Sequence, residues 1–102
     1  MDWAIHATFS NTNIGYVRGN HFHMRKFERF CVVDGEAVIK IRKLGTKDVF
    51  EYKVSGDEIK LIDMPVFHTH NIENIGDKKM TAIFWISEIY NVKNEDTFYE
   101  RV

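Results

Sequence analysis

The chain has 102 residues, 44% hydrophobic and 28% charged, with a formal net charge of −1, the make-up of one soluble globular domain rather than two. Mixed signs near neutrality offer no basic footprint for nucleic acid. The longest strongly apolar run, Met80 to Ile86, falls far short of the roughly 18–20 residues a spanning helix needs.

The lone cysteine, Cys31, allows no intrachain disulfide and reads as a packed thiol. Met1-Asp2-Trp3 opens no signal peptide. A cytoplasmic protein without membrane or nucleic-acid partners is therefore expected.

In chain order, His21 and His23 read as strand residues. Phe27 to Val33 is β-rich and stops at Asp34-Gly35, a strong turn dipeptide. Ala37 to Arg42 continues, and Leu44 to Asp48 reads as a hairpin loop. Val49 to Val54 alternates, with Phe50, Tyr52 and Val54 on one face and Glu51 and Lys53 on the other. Ser55-Gly56-Asp57 turns the chain. Ile59 to Met64, Val66 to Ile72 and Met80 to Ser87 supply three more strands, with Asn74 to Asp77 turning between the last two. Asn74 is expected to hold that turn through its side-chain amide. Residues 88–102, polar and aromatic by turns, call for no helix. Short strands at regular spacing indicate a single all-β domain over residues 1–102, a sandwich or barrel.

The chemistry concentrates in four residues. His21 and His23, two apart on a strand, share a face at roughly 6–7 Å. Glu28 lies across a short turn, with the parity of Phe30 and Val32, so it points inward. A carboxylate among apolar neighbours is costly unless paired or metal-bound. With His70 these residues can close around one divalent metal ion, a donor set that suits zinc, iron, manganese, nickel and copper alike. Three histidines and a carboxylate leave coordination positions open, as a catalytic site requires. His68 has the parity of His70 and is the candidate general base, its ordinary pKa suiting proton transfer at neutral pH; a histidine idle at the barrel mouth is the competing reading. Arg18 is either a rim contact for phosphate or a surface arginine. Tyr16, Phe22, Tyr52, Phe84 and Trp85 are expected mostly in the core, one or two walling a bound ring.

The spacing Gly15, His21, His23, Glu28, Gly35 resembles the first motif of the cupin superfamily at every fixed position. Pro65, His70 and Asn74 resemble the second, with Phe67 standing where that pattern has glycine. Further stretches, Gly19 to His23, Glu36 to Arg42, Thr69 to Asp77 and Asp96 to Tyr99, resemble the C-terminal cupin domain of bifunctional capsular polysaccharide biosynthesis enzymes. That resemblance implies a cupin-type β-barrel, or jelly roll, with a zinc site on His21, His23, Glu28 and His70. It also implies epimerisation of a nucleotide-linked keto sugar beside its ketone. The 102 residues include no reductase domain, so nicotinamide chemistry is not carried over.

An iron- or manganese-dependent dioxygenase-type enzyme and a non-catalytic sugar-binding cupin are the alternatives. Only about twenty residues precede His21, fewer than in larger cupins, and an open barrel exposes an edge. A homodimer is expected, with the N-terminal segment or the aromatic tail (Tyr90, Phe98, Tyr99) packed on a second copy.

Overall fold

The computed structural model describes residues 2–88, 93 and 95–102; of the aromatic tail, Tyr90 lies outside the described residues. Among these residues there is no helix, and nine strands form. They are β1 (His6–Thr12), β2 (Val17–Phe22), β3 (Glu28–Asp34), β4 (Glu36–Lys43), β5 (Val49–Ser55), β6 (Leu61–Met64), β7 (His68–Asn74), β8 (Met80–Ile86) and β9 (Phe98–Tyr99). One sheet runs β1-β8-β3-β6 and the other β5-β4-β7-β2-β9, every pairing antiparallel. The two sheets close a cupin-type barrel of jelly-roll form.

Two of the corners where the chain crosses between sheets show how the crossing is made. Gly35 alone separates β3 from β4, in the left-handed region at φ 90°. A Cβ there would lie 3.0 Å from the Met80 Cα, so only glycine fits without a shift. At the β7–β8 corner Asn74 acts as expected. Its amide donates to the Thr12 and Lys78 carbonyls, each at 2.9 Å, and its oxygen accepts from the Gly76 N–H at 2.9 Å.

Alternation along the central strands builds the core. β3 and β8 supply Phe30, Val32, Met80 and Ala82, β6 adds Met64, and Ala37, Ile39, Ile41, Val54 and Ile72 face them from the other sheet. Burying one such large side chain stabilises the fold by about 1.5–3 kcal/mol.

Three expectations shift. Phe50 and Tyr52 do share a face with Val54, opposite Ile41, Ile39 and Ala37, yet they are 60% and 42% exposed while Val54 is buried. β5 is the edge strand of its sheet, so its outer positions have little to pack on. Tyr16 is likewise exposed rather than core. The N-terminal segment and the tail pair within their own chain, β1 along the whole of β8 and β9 on β2, with Phe98 stacked on Phe22 at 5.3 Å.

Candidate metal centre

Local backbone irregularity aims the histidines. The β2–β7 register slips between Gly19 and His21, and Asn20 takes φ 56°. This bulge offsets the two-residue period, so Arg18 and His21, three apart, both face one cavity. Gly19, at φ 102°, lets β2 approach β7 closely; a Cβ there would sit 2.8 Å from the His70 carbonyl oxygen. His21 is thereby set opposite His70 in the ladder. His23 follows the end of β2, its carbonyl accepting from the Phe67 N–H at 2.8 Å. Glu28 opens β3 and is buried with Phe30 and Val32, the parity its sequence position implies.

The four residues converge. Ring centroids stand 5.0 Å apart for His21–His23, 4.8 Å for His21–His70 and 5.4 Å for His23–His70. One ligand-capable atom from each of His21, His23, Glu28 and His70 lies within 4.8 Å of all the others. Two ligands on one ion at about 2.2 Å are at most about 4.4 Å apart, so a divalent cation fits after a small inward movement.

Protonation and hydrogen bonding agree with that fit. Burial, aided by the neighbouring His23, pulls His21 down to about 4. Burial also pulls His70 down to about 3, outweighing Glu28, with His21 and His23 acting in the same direction as burial. Burial opposes the charge on Glu28, but the hydrogen bond and charge of His23, with His70 and Lys26, hold its carboxyl below the usual range. At neutral pH His21 and His70 are thus neutral and Glu28 is charged, the states a divalent cation requires. The His23 Nδ1–H donates to the Asp96 carbonyl at 2.7 Å, because a carbonyl can only accept. Nε2 is left to face Glu28. His70 is 1% exposed, and neither of its ring nitrogens has a hydrogen-bond partner. Unpartnered buried polar atoms cost about 1–3 kcal/mol, and a shared cation would relieve that cost.

The cavity over this group measures about 150 Å³ and is lined by Arg18, Gly19, His21, Glu28, Phe30, His70, Ile72 and Phe84. Of the aromatics singled out in the sequence, Phe84 lines the cavity; Trp85, next along β8, points to the opposite face. A larger depression of about 230 Å³ at Glu36, Lys53 and Lys60 shares no residue with it and is lined mostly by exposed side chains.

His68, at the start of β7, lies outside the group of four and outside the cavity lining. Its Nδ1–H donates to the Val66 carbonyl at 2.9 Å, which leaves the lone pair on Nε2. Two neighbours of the site escaped the sequence reading. Tyr99 stands opposite His21 in the ladder, ring centroids 6.2 Å apart. Asp96 contacts His23 through a backbone carbonyl, which no residue type announces.

Comparison with known proteins places this geometry. The family model described as polysaccharide biosynthesis C-terminal domain matches residues 4–98. A UDP-2-acetamido-2,6-beta-L-arabino-hexul-4-ose reductase of Pseudomonas aeruginosa is 31% identical over 91 residues, covering 89% of this chain and 24% of that protein. The capsular polysaccharide assembling protein CapF of Staphylococcus aureus superposes with a TM-score of 0.92 at 40% identity, over 94% of this chain and 27% of that one. The chain thus spans about a quarter of the length of these relatives. RmlC of Legionella pneumophila, a dTDP-6-deoxy-D-glucose-3,5-epimerase crystallised with dTDP-4-keto-L-rhamnose, shares the fold with a TM-score of 0.78 at 16% identity, over 94% of this chain and 53% of that one. With residues 4–98 inside a single family model, the chain belongs to the polysaccharide biosynthesis C-terminal domain family.

Proposed function

We propose that His21, His23, Glu28 and His70 hold one divalent metal ion, zinc first, and that the domain epimerises or isomerises a nucleotide-linked keto sugar in polysaccharide biosynthesis. The observation that carries the reading is His70, buried with both ring nitrogens unpartnered beside two more imidazoles and a carboxylate under an open cavity. The relatives support the substrate class: one is a UDP-sugar reductase and another a capsular polysaccharide protein.

A cation held there would supply Lewis acidity toward the ketone oxygen. The chain's own groups do the rest. Phe30 and Phe84 give the sugar an apolar wall. Arg18, exposed at the cavity mouth, suits diphosphate oxygens by its planar fork of donors. His68 is the proposed base, its Nδ1 fixed on Val66 and its Nε2 able to take a proton; this role puts the reacting carbon at the mouth. Proton removal by His68 beside the ketone, and protonation of the opposite face by water, inverts that carbon.

Two tests apply. Elemental analysis of tag-free protein should find about one equivalent of zinc, lost in His21→Ala. Iron or manganese, with oxygen uptake on substrate, would favour the dioxygenase-type reading, since the same donors suit those metals. Solvent deuterium should exchange into a UDP-keto sugar; tight binding without exchange by fully metallated protein would indicate a sugar-binding module. No helix among the described residues is long and apolar enough to cross a membrane. A cytoplasmic site of action and a homodimer complete the proposal. Sedimentation as a monomer at micromolar concentration would remove the dimer.

A further inference from the structure

Asp96 lies 73 residues from His23 in the chain, yet it is 4% exposed and grips four consecutive residues. Its Oδ1 accepts from the Met24 N–H at 3.0 Å. Its Oδ2 accepts from the Arg25 N–H at 2.7 Å and the Lys26 N–H at 2.8 Å. Its own carbonyl accepts from the His23 Nδ1–H at 2.7 Å. The gripped segment joins the two ligand residues His23 and Glu28.

The geometry points to Asp96 as a positioning residue for the metal centre, locking His23 as the Nδ1–H tautomer with Nε2 turned to the ion. The inference deepens the proposed function and rests on its metal reading. The carboxylate fixes residue 96 against the 24–26 backbone, and that attachment places the 96 carbonyl against the imidazole. A ligand histidine oriented by a carbonyl on its second nitrogen keeps both ring direction and lone pair fixed before the ion arrives, and loss of such support weakens metal binding by about tenfold to a hundredfold. The remainder of the tail is anchored separately. Arg42 holds the Glu100 carboxylate at 2.9 Å and the Arg101 carbonyl at 2.7 Å, so the tail can be loosened without touching Asp96.

The experiment compares wild type, Asp96→Ala, the milder Asp96→Asn, and Arg42→Ala. Zinc affinity is read by competition with a chromophoric chelator, and the His23 tautomer by imidazole ¹⁵N–¹H correlation spectra of metal-free protein. The expected result is zinc binding weaker by about tenfold to a hundredfold in Asp96→Ala, a smaller loss in Asp96→Asn, and wild-type affinity in Arg42→Ala. The metal-free spectra should show one ordered Nδ1–H at His23 in wild type, and its loss or broadening in Asp96→Ala. Unchanged affinity and tautomer in both Asp96 variants overturns the inference, as does an equal affinity loss in Arg42→Ala. If wild type takes up no zinc, the metal reading fails by itself. The tautomer spectra then decide separately whether Asp96 orients His23.

Discussion

Asn74 and His70 sit four residues apart on the inner face of β7, and each is 1% exposed. All the hydrogen-bonding partners Asn74 needs come from its own chain, three backbone groups drawn from β1 and the β7–β8 turn. His70 has none at either nitrogen. One strand therefore carries a satisfied polar group at its closed end and an unsatisfied one at its open end. The polarity of the corner joins segments; that of the mouth has no hydrogen-bond partner in the chain. That contrast separates structural from functional burial better than burial itself does.

The largest test of the contrast is metal addition. Zinc at roughly a thousandfold its dissociation constant should stabilise the folded state by about 4 kcal/mol, a rise of more than about 15 °C in Tm for a domain of this size. His70→Leu should abolish the rise. In metal-free protein the same substitution should leave stability unchanged or raise it, because it replaces an unpartnered polar ring with apolar volume. Thermal melts of both proteins with and without zinc give the answer; a metal-free His70→Leu that unfolds early would show that His70 serves the fold.

Asn74→Ala should act in the opposite sense. It strands two carbonyls and one N–H at a buried corner, at a cost of about 3 kcal/mol, whether or not metal is present. Urea unfolding should show a lower midpoint with an unchanged slope, and the variant while folded should bind zinc as wild type does.

Acid probes the mouth. His21 and His70 titrate near 4 and 3 in the folded protein against an ordinary 6.5. Below pH 6.5 the unfolded chain takes up protons that the folded chain refuses, so stability falls as pH is lowered toward 4 and is fully present above 6.5. Metal-free melts from pH 7 to pH 4 should follow that slope, shallower in His70→Leu because one of the two lowered imidazoles is gone. A flat profile would mean that these rings are protonated in the fold.

The legible parts of the molecule were those whose inner faces are apolar. β3, β4 and β8 announce themselves as β-rich or apolar runs bounded by turn signals, and the four ligand-capable residues by spacing. β1 did not, because its two buried positions, Ser10 and Thr12, are polar, while Phe9 turns outward at 72% exposure. β9 is two residues long and is fixed by pairing with β2, a long-range contact with no local pattern. Tyr52 reads as core because alternation cannot tell an edge strand from a central one. Asp96 was visible only as part of a family likeness, since its hold on His23 is a main-chain carbonyl.

The smallest expected effect concerns Phe67, where the superfamily pattern has glycine. The structure gives the reason for that glycine: Phe67 is held at φ 59°. Its N–H is tied to the His23 carbonyl at 2.8 Å, and its carbonyl to the Leu44 N–H at 3.0 Å. A left-handed conformation costs a non-glycine residue about 1–2 kcal/mol. Phe67→Gly removes that cost, gives back about 0.5–1 kcal/mol through the freer unfolded chain, and loses a ring that is nearly half exposed. The net change should stay within about 1 kcal/mol. Phe67→Val keeps the strain and adds β-branching at a left-handed position, so it should lower stability by about 1–2 kcal/mol. It should also weaken zinc binding, because the strained backbone is the one that fixes the His23 carbonyl. Equal urea midpoints for the two variants would show that the turn is not held left-handed. The glycine of the pattern would then have to answer to something other than backbone geometry at the mouth.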